Sequence, residues 1–137
     1  MTQLDLKFLL KPHESCDIAE FWDIKNHTIP DESGVYILIA KDDIKFMYPC
    51  GQSPIFYIGQ SQNLMRRLNE HLKWSLQAKE DRQRDLYWPR YEYSAAYGGR
   101  YCWFSNKNQK LREMQLFAAF AKEHRSFPIA NGAGSWK

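Results

Sequence analysis

Gly34-Val35-Tyr36-Ile37-Leu38-Ile39-Ala40 and Ile55-Phe56-Tyr57-Ile58-Gly59-Gln60-Ser61-Gln62-Asn63-Leu64-Met65-Arg66-Arg67-Leu68-Asn69-Glu70-His71-Leu72 are the two stretches that decide the fold. The first follows the turn residues Pro30, Asp31 and Ser33. Its β-branched apolar run, Val35 to Ala40, reads as a strand. The second begins with another short apolar run, Ile55 to Ile58, ended by Gly59. It then changes period. Leu64, Leu68 and Leu72 recur every four residues, the stripe of a helix lying on a core. Asn63 stands just before that stripe, where its side chain can accept from an orphan backbone N–H. Two neighbouring strands and a long helix are therefore expected. The polar, Gly- and Pro-bearing segment Lys41 to Pro54 forms a long connection between the strands.

Outward from this centre the signals are shorter. Leu4 to Leu10 alternates at first and reads as a strand stopped by Pro12. Asp17 to Ile24 reads as a helix with Phe21 and Trp22 facing inward. Tyr91 to Tyr97 and Arg100 to Ser105 flank Gly98-Gly99, which predicts a hairpin with a tight primed turn. Ser105 or Asn106 then caps a helix from about Gln109 to His124, whose apolar face is Leu111, Met114, Phe117, Ala118, Phe120 and Ala121. Asn131 to Lys137 is a tail rich in small residues.

At 137 residues the chain is expected to hold one core. Its 44% apolar and 26% charged residues are globular composition. No apolar run approaches the length needed to cross a membrane, so no membrane partner is expected. No charged-then-apolar leader opens the chain, which predicts no signal peptide. Cys16, Cys50 and Cys102 are odd in number and far apart, so neither a disulfide scaffold nor a cysteine zinc site is expected. A reduced, cytoplasmic setting follows. Charge is uneven. Residues 1–33 carry three lysines against seven acids, an acidic N-terminal extension. Residues 34–137 carry sixteen Lys or Arg against nine acids, a basic body able to attract phosphate chains.

Several polar groups stand where packing does not require them. Arg67 and His71 share one face of the first long helix, at the edge of its leucine stripe. Glu113 lies on the second helix four residues before Phe117, where a buried carboxylate would need a partner or a metal. Tyr36 and Tyr57 lie on the two strands, each with an apolar ring and a polar tip. Singly, each has a plain reading: a packed strand tyrosine, a surface arginine, a lone helix histidine, an intrahelical pair of Glu113 with Lys110 or Arg112. Asn131 is a tail residue.

Taken in order, these residues resemble the GIY-YIG nuclease domain. Its triplets appear as Gly34-Val35-Tyr36 and Tyr57-Ile58-Gly59. The helix pattern continues to His71, with Arg67 rather than Arg66 at the position of the family's arginine. Glu113 fits the metal-binding glutamate and Asn131 the terminal asparagine. The resemblance covers residues 34 to about 132. It implies an α+β fold, a small three-stranded antiparallel sheet flanked by helices, with residues 34–137 as the nuclease-like domain and 1–33 packed on or beside it. The 20 residues between Tyr36 and Tyr57 exceed the family's usual spacing and imply an enlarged loop.

The resemblance further implies a metal-dependent DNA endonuclease. One Mg²⁺, or Mn²⁺ in its place, would be held by Glu113, since Mg²⁺ keeps much of its water shell. Arg67 would grip the phosphate. Tyr36 would hold or deprotonate the attacking water, His71 would take up the phenolic proton, Tyr57 would position water or phosphate, and Asn131 would support the site. Arg66, Lys73, Arg82, Arg84, Arg90 and Arg100 are the candidate DNA-binding cations. The four later arginines are interleaved with Tyr87, Trp88, Tyr91, Tyr93, Tyr97, Tyr101 and Trp103, a composition suited to phosphate contact and base stacking. A protein partner or a second copy would supply target specificity. The alternative is a non-catalytic nucleic-acid-binding or interaction module on the same fold.

Overall fold

The computed structural model describes residues 6–81 and 87–131. In chain order it runs β1 (Ala19–Glu20), a 3₁₀ helix (Phe21–Asn26), β2 (Gly34–Ala40), β3 (Phe46–Met47), β4 (Gln52–Ser53), β5 (Ile55–Ser61), α1 (Leu64–Glu80), α2 (Pro89–Tyr97), β6 (Gly98–Ser105), α3 (Gln109–His124) and a 3₁₀ turn (Ile129–Asn131). The protein is α+β, with an antiparallel sheet ordered β1-β6-β2-β5. The sheet has four strands rather than three. The added one, β1, comes from the acidic N-terminal segment and pairs Ala19 with Tyr101.

β2 is central and all seven of its residues are buried. Its alternation is hidden because both faces are apolar. Tyr36, Leu38 and Ala40 face a core closed by Leu64, Leu68 and Leu72 of α1 and by Phe21 and Ile24 of the 3₁₀ helix. Val35, Ile37 and Ile39 face a second core closed by Leu116 and Phe120 of α3. A register shift between Leu38 and Ile39 leaves Phe56 as an extra residue on β5, a β-bulge next to Tyr57.

The expected capping of α1 is present: the Asn63 side chain accepts from the Arg66 backbone N–H at 3.0 Å. The long β2–β5 connection is a small β3–β4 hairpin pinned to the end of α3. Tyr48 packs against Phe120, and the Cys50 backbone N–H donates to the His124 carbonyl at 3.1 Å.

Further expectations need correction. Residues 6–10 form turns instead of a strand, with Leu6 and Leu9 tucked into the second core; residues 4 and 5 lie outside the described residues. The helix expected over 17–24 is β1 followed by the 3₁₀ helix. Tyr91–Tyr97 is not a hairpin strand but most of α2. Pro89 starts that helix at a position its fixed φ suits, and Tyr91, Ser94 and Ala95 recur at helical spacing on its buried side. Gly98 makes no primed turn. Its φ is −69°, and a Cβ there would press on the backbone of Ser94, so glycine serves close approach between α2 and β6.

The apolar face expected for α3 is rotated. Leu111 and Met114 are exposed, while Gln109, Arg112, Leu116, Phe120 and His124 are buried. Arg112 turns inward because Glu14 meets it there, at 2.6 Å from Nη2 and 2.8 Å from Nε, and the Leu9 carbonyl accepts from Nη2 at 2.9 Å. A buried guanidinium with its donors engaged is tolerable where a lone one is not. Burial pushes the Glu14 carboxyl up, but the hydrogen bonds and charge of Arg112 outweigh it and hold it below the ordinary value. Finally, two of the cysteines are joined. Cys16 and Cys102 form a disulfide with Cα atoms 5.5 Å apart, and Cys50 is a free, exposed thiol. Their separation of 86 residues hides the pair in sequence.

Candidate active site

β2 and β5 place Tyr36 and Tyr57 on the same face of the sheet. Tyr36 stands opposite Gly59, and Tyr57 opposite Leu38, so the two rings lie diagonally, with centroids 6.1 Å apart. Tyr36 leans across β5 at Gly59. A Cβ at Gly59 would overlap the Tyr36 Cζ and hydroxyl. Gly34 answers a similar need, because a side chain there would meet the Phe104 carbonyl and Leu64 Cδ1. Both triplet glycines thus serve close packing, Gly59 under the Tyr36 ring and Gly34 between β6 and α1.

α1 crosses this face and presents Arg67 and His71. The Tyr36 hydroxyl lies 2.8 Å from His71 Nε2. His71 is fully buried, and among the described residues its Nδ1 has no hydrogen-bond partner. Burial, reinforced by the charges of Arg67 and Arg90, drives His71 well below its ordinary pKa, so the ring is neutral. A neutral imidazole carries one N–H. With the proton on Nδ1, Nε2 accepts from the tyrosine hydroxyl; with it on Nε2, the tyrosine oxygen accepts.

Arg67 is a half-buried cation tied into the phenol cluster. Its Nη1 donates to the Tyr91 hydroxyl at 3.1 Å and lies 3.4 Å from Glu70 Oε2. Burial works against its charge, but the neighbouring phenols outweigh that and hold it protonated. Burial also raises Tyr36 well above the ordinary phenol value, and the charge of Tyr57 adds to it; Arg67 and Arg90 pull the other way without prevailing. Tyr57 is raised for the same first reason, with Arg90 and Arg67 lowering it and Glu113 raising it. Both phenols are therefore protonated at neutral pH.

That last influence comes from outside the elements that build the cluster. Glu113 lies on α3, which packs chiefly on the opposite face of the sheet but also against the edge strand β5. From there its charge reaches Tyr57. Burial alone lifts the Glu113 carboxyl to about 7. Among the described residues it has no ion-pair partner, and no group of three or more His, Cys, Asp or Glu is assembled as a metal site. A half-buried carboxylate is a hard oxygen donor. It fits a cation that keeps several of its waters, such as Mg²⁺.

Asn131 reaches the site through the backbone. Its Oδ1 accepts from the Ile58 N–H at 2.8 Å and its Nδ2 donates to the Ile58 carbonyl at 2.9 Å. These are the groups that edge strand β5 would otherwise leave unpaired, one residue from Tyr57. Both ends of the amide are engaged, so Asn131 braces the strand that carries Tyr57.

The expected DNA-binding cations divide. Arg100 donates to the Ala40 carbonyl at 2.9 Å and pairs with Asp42 at 3.4 Å, a bond that ties β6 to the end of β2. Tyr101 is core and lies 2.6 Å from His27 Nδ1 through its hydroxyl. Arg82 and Arg84 lie outside the described residues. Arg66 is on the exposed side of α1, and the Lys73 Nζ stands 5.5 Å from the Trp74 ring centroid. Arg90 belongs to the cluster itself. Its guanidinium lies 5.0 Å from the Tyr91 ring centroid, and its charge acts on both Tyr36 and Tyr57. Tyr91 and Arg90 are the members of the cluster not foreseen as such. Only α2 as a helix brings them there, and the sequence pattern had read that segment as a strand.

Tyr36, Tyr57, Arg67 and His71 therefore share one cluster, while Glu113 stands on α3, which packs chiefly on the opposite face, and acts on Tyr57 through its charge. No family model, curated protein or solved structure matches this chain.

Proposed function

We propose that this chain is a metal-dependent DNA endonuclease of the GIY-YIG type. The observation that carries the reading is the Tyr36–His71 pair set beside Tyr57 and the Arg67 cation on one face of the sheet; the half-buried Glu113 carboxylate, whose charge acts on Tyr57, supports it. Phosphodiester hydrolysis needs a positioned water, a cation on the phosphate and help for the leaving oxygen. Each requirement has a candidate here.

Glu113 would hold Mg²⁺ or Mn²⁺, which supplies Lewis-acid stabilisation of the phosphate and the departing oxygen. Arg67 offers a guanidinium to the phosphate, and Arg90 adds a second positive charge. Tyr36 is too weak an acid to stand as a free phenolate, so its role is a relay. The hydroxyl oxygen accepts a proton from the attacking water while its own proton passes to His71 Nε2, giving imidazolium. Burial opposes that charge; a bound phosphodiester favours it through its own negative charge. Tyr57, on which the Glu113 charge acts, orients water. A basic body favours DNA as partner, with a second copy or a protein partner supplying specificity. The cytoplasmic setting expected from unpaired cysteines stands against the Cys16–Cys102 disulfide, a bond that persists in oxidising compartments. Among the described residues no helix is long and apolar enough to cross a membrane.

One observation favours the second reading, a non-catalytic DNA-binding module: Tyr36 is only 1% exposed, and an attacking water must reach it. A panel of labelled DNA structures incubated with Mg²⁺, Mn²⁺ or EDTA separates the two. The parent protein cuts at least one substrate with metal and none with EDTA. Glu113→Ala abolishes cleavage, and Arg67→Ala lowers it by about 10²–10³-fold, the scale of a lost oxyanion donor. Folded variants that cut as fast as the parent would refute the assignment. A parent that binds DNA without cutting establishes the module.

A further inference from the structure

Beside the catalytic cluster a groove of about 540 Å³ opens between the end of α1 and the start of α2. Trp74, Asp81, Tyr87, Trp88, Arg90 and Tyr91 line it. Trp88 and Trp74 are 53% and 40% exposed, unusual for rings of this size unless a surface is kept for contact. The aromatic groups are arranged with cations. The Arg90 guanidinium lies 5.2 Å from the Trp88 ring centroid and 5.0 Å from that of Tyr91, while among the described residues Arg90 Nε has no hydrogen-bond partner. Lys73 stands over Trp74. The acid in the groove, Asp81, accepts from the Tyr87 hydroxyl at 3.1 Å.

We infer that this groove is a stacking subsite for an unpaired nucleobase of the DNA strand being cut. The inference rests on the endonuclease reading and narrows its substrate to DNA with an unpaired nucleotide next to the scissile linkage. Flat, exposed rings offer π-faces to any base, and the flanking cations suit the phosphates on either side of it. Tyr91 joins the groove to the cluster. Its ring lines the groove and its hydroxyl accepts from Arg67, the proposed phosphate ligand. A base seated against Trp88 therefore has its backbone directed towards Arg67 and Arg90. A perfect duplex keeps its bases stacked inside the helix and cannot fill the groove.

Binding in EDTA tests this without cleavage. Fluorescence anisotropy would compare a perfect duplex, the same duplex with one bulged nucleotide, and the single strand. The parent binds the last two more tightly than the first. Trp88→Ala, at an exposed position that leaves the core untouched, loses about 5- to 100-fold on the bulged and single-stranded DNA and little on the perfect duplex. Trp88→Phe, which keeps a stacking face, recovers most of the loss. A 2-aminopurine at the bulged position is quenched on binding the parent and not on binding Trp88→Ala. Equal affinities of parent and Trp88→Ala, an equal loss on the perfect duplex, or an unquenched 2-aminopurine would each overturn the subsite. The two readings fail separately. Cutting by the parent with no effect of Trp88→Ala removes the groove alone. Trp88-dependent binding by a parent that never cuts removes the nuclease alone.

Discussion

The Tyr36 ring lies across Gly59, so closely that a single methyl group at Gly59 would overlap its hydroxyl. The same hydroxyl is 2.8 Å from His71 Nε2. Gly59 is thus the floor on which the Tyr36–His71 pair is built. Gly59→Ala must move the ring or the strand, and overpacking of this kind costs about 1–3 kcal/mol. Chemical denaturation should show that loss. Cleavage should fall with Tyr36 displaced, even at temperatures where the variant is folded. A Gly59→Ala protein as stable and as active as the parent would show that the ring is free to shift.

Glu113 should leave a signature in the pH dependence of stability. The folded carboxyl titrates near 7, the unfolded one near 4.5. Between these values the folded state holds the extra proton, so this group makes stability fall as pH rises from about 4.5 to 7. His71 acts in the opposite sense. It stays neutral in the fold while the unfolded chain takes up a proton below about 6.5, so its contribution is lost as pH falls. Comparing Glu113→Gln with the parent isolates the first effect, since both keep His71. In thermal melts the Gln variant should gain on the parent as pH rises through that window. Mg²⁺ binding, by displacing the same proton, should strengthen about tenfold per pH unit below 7 and level off above it. Parallel melting curves for the two proteins would remove the raised carboxyl.

Glu14 and Arg112 join residues 98 positions apart in the sequence. Glu14→Ala leaves the Arg112 guanidinium buried without its carboxylate and should cost about 3–5 kcal/mol. Replacing both by apolar residues of similar volume should cost much less. Because the Glu14 carboxyl is held below 4.5, its contribution is present above that pH and is lost as pH falls through the lower folded value. Denaturation of both variants at neutral pH checks the difference. A single variant no worse than the double would mean that the pair does not hold α3 in place.

The cysteines give a direct chemical count. Denatured without reductant, the chain should titrate one thiol, Cys50; after reduction it should titrate three. Three thiols without reduction would leave Cys16 and Cys102 unbonded. That result would suit the cytoplasmic setting, where thiols are kept reduced.

The elements that could be read directly were those whose evidence is local. Val35–Ala40, Ile55–Ile58 and the leucines of α1 announce strands and a helix by their periodicity, and Asn63 announces where the helix starts. Tyr36, Tyr57, Arg67 and His71, which the fold brings together, stand in the sequence as an ordered series of residue types, although each alone is ordinary. The face of α3 was not legible. Leu111 and Met114 look inward by hydropathy, yet Arg112 takes the buried position because Glu14 and the Leu9 carbonyl await it. Nor was α2. Its tyrosines fit a strand composition, and only packing of Tyr91, Ser94 and Ala95 beside α1 selects the helix.

Local pattern thus settled which segments are regular and which residue types could do chemistry. Tertiary packing settled which of them meet, because burial and charge act through space and carry no mark in the intervening chain. The raised carboxyl of Glu113, the neutral ring of His71, Asn131 bound to the backbone of Ile58 and Arg90 beside Tyr91 are all consequences of that packing.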